Sequence, residues 1–173
     1  DANTAVGYES LSANTTGAEN TAVGTASMIT NTTGNANVAL GFCAMKFNET
    51  GCSNVAIGNV ALCKNTTACY NTAVGSDALK AQTTGISNVS VGYFSLVAST
   101  TGACNVAVGV QAGDSVTSGI CNVGVGAFAL SAVTTGGSNT SLGSRAGNST
   151  TTGGNNLSPV SYTHLRAHET VDY

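Results

Sequence analysis

The apolar positions of this chain fall into a register of 17 residues. Each unit opens with Asn, at 3, 20, 37, 54, 71, 88, 105, 122 and 139, and Asn156 opens a tenth, where the pattern stops. Counted from that Asn, position 4 is aliphatic in all nine units: Val6, Val23, Leu40, Ile57, Val74, Val91, Val108, Val125 and Leu142. Position 5 is always Gly, from Gly7 to Gly143. Position 9 is Leu or Met in seven units, from Leu11 to Leu130, and Gly in the other two, Gly113 and Gly147. Positions 13 to 15 read Thr-Thr-Gly in most copies, with Glu49, Ala68 and Ser118 departing. A short fixed period without slippage is the signature of a solenoid.

Alternation over positions 2 to 4 predicts a short strand. The Gly after it ends the strand and permits a backbone conformation that other residues avoid. Positions 7 to 10 predict a second short strand with position 9 pointing inward, and Thr-Thr-Gly predicts the second turn. The expected fold is all-β: a parallel β-solenoid (β-roll) of about nine 17-residue rungs over residues 1–157, followed by a non-repeat tail at 158–173. A helical repeat fails, because the Gly, Thr and Asn content is poor helix material. Stacked rungs place like positions about 4.8 Å apart, so nine make a rod roughly 40 Å long. The Val/Ile/Leu column and the Leu/Met column are expected to form its dry interior. The Asn column is expected to link its amides along the stack, as like side chains do in cross-β assemblies.

The unit Asn-[Thr/Val]-Ala-[Val/Ile/Leu]-Gly-x-x-[Ala/Ser]-Leu followed by Thr-Thr-Gly resembles the repeats of trimeric autotransporter adhesin heads. It is more similar still to repeat arrays of phage-type tail-fibre proteins. The resemblance covers about 153 of the 173 residues. It implies a parallel β-roll, often three chains about one axis, acting as an extracellular stalk or receptor-binding head. The autotransporter head unit is shorter than 17 residues, so handedness and trimer packing are not carried over. The chain contains no stretch resembling a coiled-coil stalk or membrane anchor.

Composition narrows the classes further. Only 8% of residues are charged, and the net charge is −3. No basic patch suggests nucleic acid as a partner. No apolar run approaches the length of a membrane span. No signal peptide is visible, so the chain reads as a mature or excised segment. The apolar content is mostly Ala and Val, which predicts a thin repeated core or one shared with partner chains.

Four of the six cysteines fall into two columns. Cys52 and Cys69 share position 16 of adjacent rungs, and Cys104 and Cys121 share position 17. A one-rung separation lies within the reach of a disulfide. Cys43 at position 7 and Cys63 at position 10 also occupy neighbouring rungs and complete a third expected pair. No CxxC pair or zinc spacing is present, so no metal site is expected. Disulfides place the protein outside the cell. Asn14, Asn31, Asn48 and Asn65 each begin a glycosylation sequon at position 12, and Asn88, Asn139 and Asn148 begin three more. Glycans in one column would offset the missing charge.

No catalytic set is legible and no cofactor is expected. Gly124-Val125-Gly126-Ala127-Phe128-Ala129 mimics a dinucleotide fingerprint, but the repeat explains both glycines. Asp77 and Asp114 are too isolated for calcium-binding turns. His164 and His168 stand at i, i+4 in the tail. There the run from Ser161 to Thr170 resembles translated adaptor sequence; a docking or capping segment is the other reading. The first rung starts without a cap, which predicts head-to-tail stacking, since open edges template pairing. The expected function is a non-catalytic structural subunit of an extracellular fibre that assembles with itself. One alternative is a trimeric adhesin head or tail-fibre segment binding a receptor or glycan, with Tyr8, Phe42, Tyr93 and Phe94 as contacts. Another is an ice-binding solenoid, suggested by the Thr columns at positions 13 and 14.

Overall fold

The computed structural model describes residues 2–149 and 151–159. Ten short strands form one parallel sheet in chain order. They are β1 (Thr4–Val6), β2 (Thr21–Val23), β3 (Val38–Leu40), β4 (Val55–Ile57), β5 (Thr72–Val74), β6 (Val89–Val91), β7 (Val106–Val108), β8 (Val123–Val125), β9 (Thr140–Leu142) and β10 (Leu157–Ser158). Each of β1 to β9 pairs in register with residues 17 further on, as Thr72↔Val89 and Val74↔Val91 illustrate. The chain is an all-β parallel solenoid with one strand per rung.

The expected interior needs one correction. Position 3, not position 4, points inward: Ala22, Ala39, Ala56 and Ala73 are fully buried, while Leu40 is 46% and Leu142 43% exposed. Successive strand residues face opposite ways, so positions 2 and 4 share the outer face. The reason is width. The opposite wall is lined by position 8, again Ala or Ser, and by the Leu/Met column of position 9, where Met28, Met45, Leu62 and Leu79 are fully buried. The Leu/Met file lies between these two walls of small residues, joined by Val116 and Val133 in rungs seven and eight. Position 3 lies close against that file: a Cβ at Gly124 would already stand 3.0 Å from Leu130 Cδ1.

The expected second strand is also absent, because positions 7 to 10 form turns. Positions 7 and 9 both adopt left-handed backbone, as at Val60 (φ 59°) and Leu62 (φ 49°). Alternate left-handed residues bend the chain while keeping its amides pointed along the rod. Leu62 N–H donates to Ala78 O at 2.9 Å, and Val60 N–H to Phe42 O at 2.9 Å. The rungs are thus bonded to one another on this side without a strand.

Left-handed backbone is costly for a β-branched residue. Val60→Asn is therefore expected to stabilise the rod by about 1 kcal/mol, since Asn tolerates this region best after Gly. An unchanged or lower urea midpoint would contradict the strain assigned to position 7.

Candidate functional site

Two amide ladders run inside the rod. In the first, at position 1, Asn88 is representative. Its Nδ2 donates to Gly102 O at 2.8 Å and to Asn71 Oδ1 at 3.1 Å. Its own Oδ1 accepts from the backbone N–H of Asn105 at 3.0 Å and from Asn105 Nδ2 at 3.1 Å. The second ladder, at position 12, joins Asn31 Nδ2 to Asn14 Oδ1 (2.9 Å), Asn48 Nδ2 to Asn31 Oδ1 (2.7 Å) and Asn65 Nδ2 to Asn48 Oδ1 (2.6 Å).

These ladders contain most of the sequon residues. Asn31, Asn48, Asn65, Asn88 and Asn139 are buried, and each side-chain nitrogen that would carry a sugar donates hydrogen bonds inside the rod. A glycan at any of them would require its ladder to open. Asn14 is half-buried and tied to Gly17 O at 2.9 Å, while Asn148 is exposed.

The second ladder ends at Asn65. Asn65 Oδ1, Gln82 Oε1 and Ser99 Oγ, in three successive rungs, are buried without a protein partner among the described residues. Ala68, where the other eight rungs have Gly at position 15, accounts for the break. A Cβ at the equivalent Gly34 would lie 2.9 Å from Asn48 Nδ2 and closer still to Asn31 Oδ1. The Ala68 methyl therefore occupies the space through which the amide at residue 82 would reach Asn65. Gln82→Asn alone is expected to gain nothing, whereas Ala68→Gly with Gln82→Asn restores the ladder and stabilises by roughly 1–2 kcal/mol. A double-mutant cycle from denaturation midpoints measures the coupling, and simple additivity would contradict it.

All six cysteines are free thiols in the structure. The backbone N–H of Cys52 donates to Cys69 Sγ at 3.0 Å, which brings that column pair together. A hydrogen bond with the Cys69 side chain, reinforced by desolvation, holds the Cys52 thiol above its ordinary pKa. Burial pushes the Cys63 thiol up, and the nearby Cys43 adds to it. Both shifts favour the protonated thiol. Cys43 and Cys63 are buried, whereas Cys104 and Cys121 are exposed one rung apart. Cys43 with Cys63 and Cys52 with Cys69 lie at the same joint, between rungs three and four.

The outer surface divides by chemistry. Positions 2, 4 and 6 carry no charged residue in any of the nine rungs. Tyr8, Phe42 and Tyr93, at position 6, are exposed beside the aliphatic column. Phe94 lies half-buried against Tyr93, with ring centroids 4.4 Å apart. The described cations Lys46, Lys64, Lys80 and Arg145 all stand at positions 7, 10 or 11. Lys80 Nζ meets Asp77 Oδ1 at 2.8 Å. At position 13 several Thr hydroxyls donate to carbonyls of the next rung, as Thr15 Oγ1 does to Thr32 O at 2.9 Å. Position 14 is left as a single exposed file of hydroxyls.

Among the described residues no group of three or more His, Cys, Asp or Glu is placed to hold a metal ion, and no helix is long and apolar enough to cross a membrane. His164 and His168 lie outside the described residues, as does the run from Ser161 to Thr170. No protein-family model matches the chain, and neither a characterised protein nor a solved structure matches it.

Proposed function

We propose that the chain is a non-catalytic structural subunit of an extracellular fibre, a stiff rod that assembles with copies of itself. The observation that carries this reading is continuity of bonding along one axis. Every strand, the left-handed turns opposite and two internal amide ladders all direct their hydrogen bonds from rung to rung. Such an arrangement resists extension and bending, which suits a spacer or shaft more than a site for chemistry. The likeness of the repeat unit to adhesin heads and tail fibres supports the same role.

The thiol pairs Cys43–Cys63, Cys52–Cys69 and Cys104–Cys121 are assigned as cross-rung disulfides of the mature fibre. Each would close a loop of about 17–20 residues and contribute on the order of 3 kcal/mol. An oxidising, extracellular setting follows from them.

Electron microscopy of the protein without reductant, over a range of concentrations, tests the fibre reading. Filaments that lengthen with concentration are expected. Separate short rods at every concentration would remove it. The remaining reading is then an adhesin-like module, favoured by the exposed rings of Tyr8, Phe42 and Tyr93 and tested by glycan-array binding.

A further inference from the structure

We infer that the rod binds a water molecule in its interior between rungs five and six, where it bridges Gln82 Oε1 and Ser99 Oγ. The site lies within one chain and is the same whether or not rods assemble.

A pair of orphaned polar atoms marks the place. Gln82 and Ser99 are fully buried in successive rungs of the position-12 column, and neither Gln82 Oε1 nor Ser99 Oγ has a partner among the described residues. Folded interiors pair such groups with protein or with ordered water, because an orphan forfeits the bond it made to solvent. The surrounding interior obeys that rule. In the rung of Ser99, Ser90 Oγ donates to Ser95 O at 2.9 Å and Ser95 Oγ to Gly92 O at 3.0 Å. Asn65 Oδ1 stands apart from the site, because the Ala68 methyl that bars residue 82 from it bars solvent as well. Asp114 Oδ1, the other orphan among the described residues, belongs to position 10.

The column also has room here. An asparagine at position 12 donates to the position-15 carbonyl of its own rung, as Asn48 Nδ2 does to Gly51 O at 3.1 Å. Gln82 reaches one rung further, and its Nε2 donates to Gly102 O at 3.2 Å. Its amide thus serves the carbonyl that an asparagine at residue 99 would have served. Together Gln82 and Ser99 supply one non-hydrogen side-chain atom fewer than two asparagines, and a water is one such atom. The slack shows at Gly102. The nearest atoms to a Cβ built there are Gly119 O at 2.8 Å and Ser99 Oγ at 2.9 Å, whereas one built at Gly34, Gly51, Gly85 or Gly119 meets an atom at 2.5 Å or less.

The chemistry of the lining selects the occupant. Gln82 Oε1 only accepts, so the occupant must donate, while the Ser99 hydroxyl can do either. Gly119 O accepts from Asn105 Nδ2 at 2.8 Å and keeps a second lone pair beside Ser99. A water that donates to Gln82 Oε1 and Gly119 O and accepts from Ser99 makes three bonds, the usual number for a buried water. Two bonds of ~2.8 Å about one bent water span a little less than the ~4.8 Å between rungs. A cation would meet the same oxygens, but none of them carries a compensating charge, and an unpaired buried charge is far costlier than a neutral molecule.

The test compares the whole chain with Ser99→Val, which extends the column of Val116 and Val133 and fills the space with methyl groups. A second variant, Gln82→Asn with Ser99→Asn, fills it with amide. Circular dichroism should report the parent fold for both. Oxygen-17 relaxation dispersion, which sees only the oxygen of water, is expected to count one long-lived water fewer in either variant than in the parent. Proton cross-relaxation places that water: in the parent the Gln82 Nε2 protons should show it, and the Asn88 Nδ2 protons of the other ladder should not. A parent without a long-lived water beside Gln82, or a count unchanged in both variants, overturns the inference. A parent melting temperature that rises with potassium or ammonium at constant ionic strength would identify a cation instead and overturn it equally.

Discussion

Gly75→Ala is expected to destabilise the rod by at least ~3 kcal/mol, or to divide it into separately melting halves. Two causes act together. Gly75 holds φ at 135°, a region essentially closed to residues with a side chain. A Cβ there would also lie 2.5 Å from Gly92 O and 2.7 Å from Gly92 C, which are backbone atoms of the next rung. Neither can yield without opening β5 from β6. Gly113→Ala provides the contrast. Its φ of 60° matches what Leu62 and Leu79 already adopt at position 9, and the nearest obstacle is Leu96 Cδ2 at 2.9 Å, the tip of a flexible side chain. Its expected cost is about 1 kcal/mol or less. Chemical denaturation of both variants reads the difference, and equal costs would contradict the role given to the position-5 column.

Asn88→Leu is expected to cost roughly 2 kcal/mol, although it exchanges a polar core residue for an apolar one of similar size. Removing the amide leaves the Asn105 N–H without its acceptor, Asn88 Oδ1, while Gly102 O keeps Gln82 Nε2 at 3.2 Å and Asn105 Nδ2 keeps Gly119 O at 2.8 Å. A buried orphan costs about 1–3 kcal/mol, and loss from a polarised chain adds to it. Asn88→Asp separates bonding from size. The carboxylate keeps an acceptor for Asn105 but points oxygen at Asn71 Oδ1 and Gly102 O, where Asn88 donated. Burial there would raise the carboxyl's pKa above its unfolded value near ~4. The folded state then binds more protons than the unfolded chain, so this variant loses stability as pH rises above about 4. A pH-independent melting temperature for Asn88→Asp would contradict the ladder.

The rungs were legible in the sequence because the register is uninterrupted. The Asn at position 1 and the Gly at position 5 could be assigned structural roles from their regular recurrence alone. The orientation of the strand was not read correctly, although a signal for it existed. Position 3 admits only Ala, Ser or Gly, from Ala5 to Ser141, whereas position 4 ranges over Val, Ile and Leu. Restriction to the smallest residues marks a packed wall, and latitude in size marks a free face; hydrophobicity alone points the other way.

Similar signals bear on the two turns. Gly113 and Gly147 at position 9 hint that this column is left-handed, which a strand would not be. Val116 and Val133 continue the position-12 column of Asn14 to Asn65, and a column that passes from Asn to buried Val faces inward. The sequon motif could not reveal that, because it specifies residue type and not side. Four of the six cysteines were legible as two columns, and the Cys52–Cys69 contact agrees with that placement. The break at Ala68 and Gln82 was legible only as a departure from Thr-Thr-Gly and a changed amide. Its consequence depends on a methyl group's position, which no pattern in one chain specifies.

X-ray diffraction from aligned native filaments tests the central claim, that this chain is a fibre subunit whose rungs stack along the filament axis. A reflection near 4.8 Å on the meridian, with sheet-packing intensity near 10 Å on the equator, is the expected result. Filaments with the 4.8 Å reflection off the meridian, or material that never aligns because it remains dispersed rods, would contradict it.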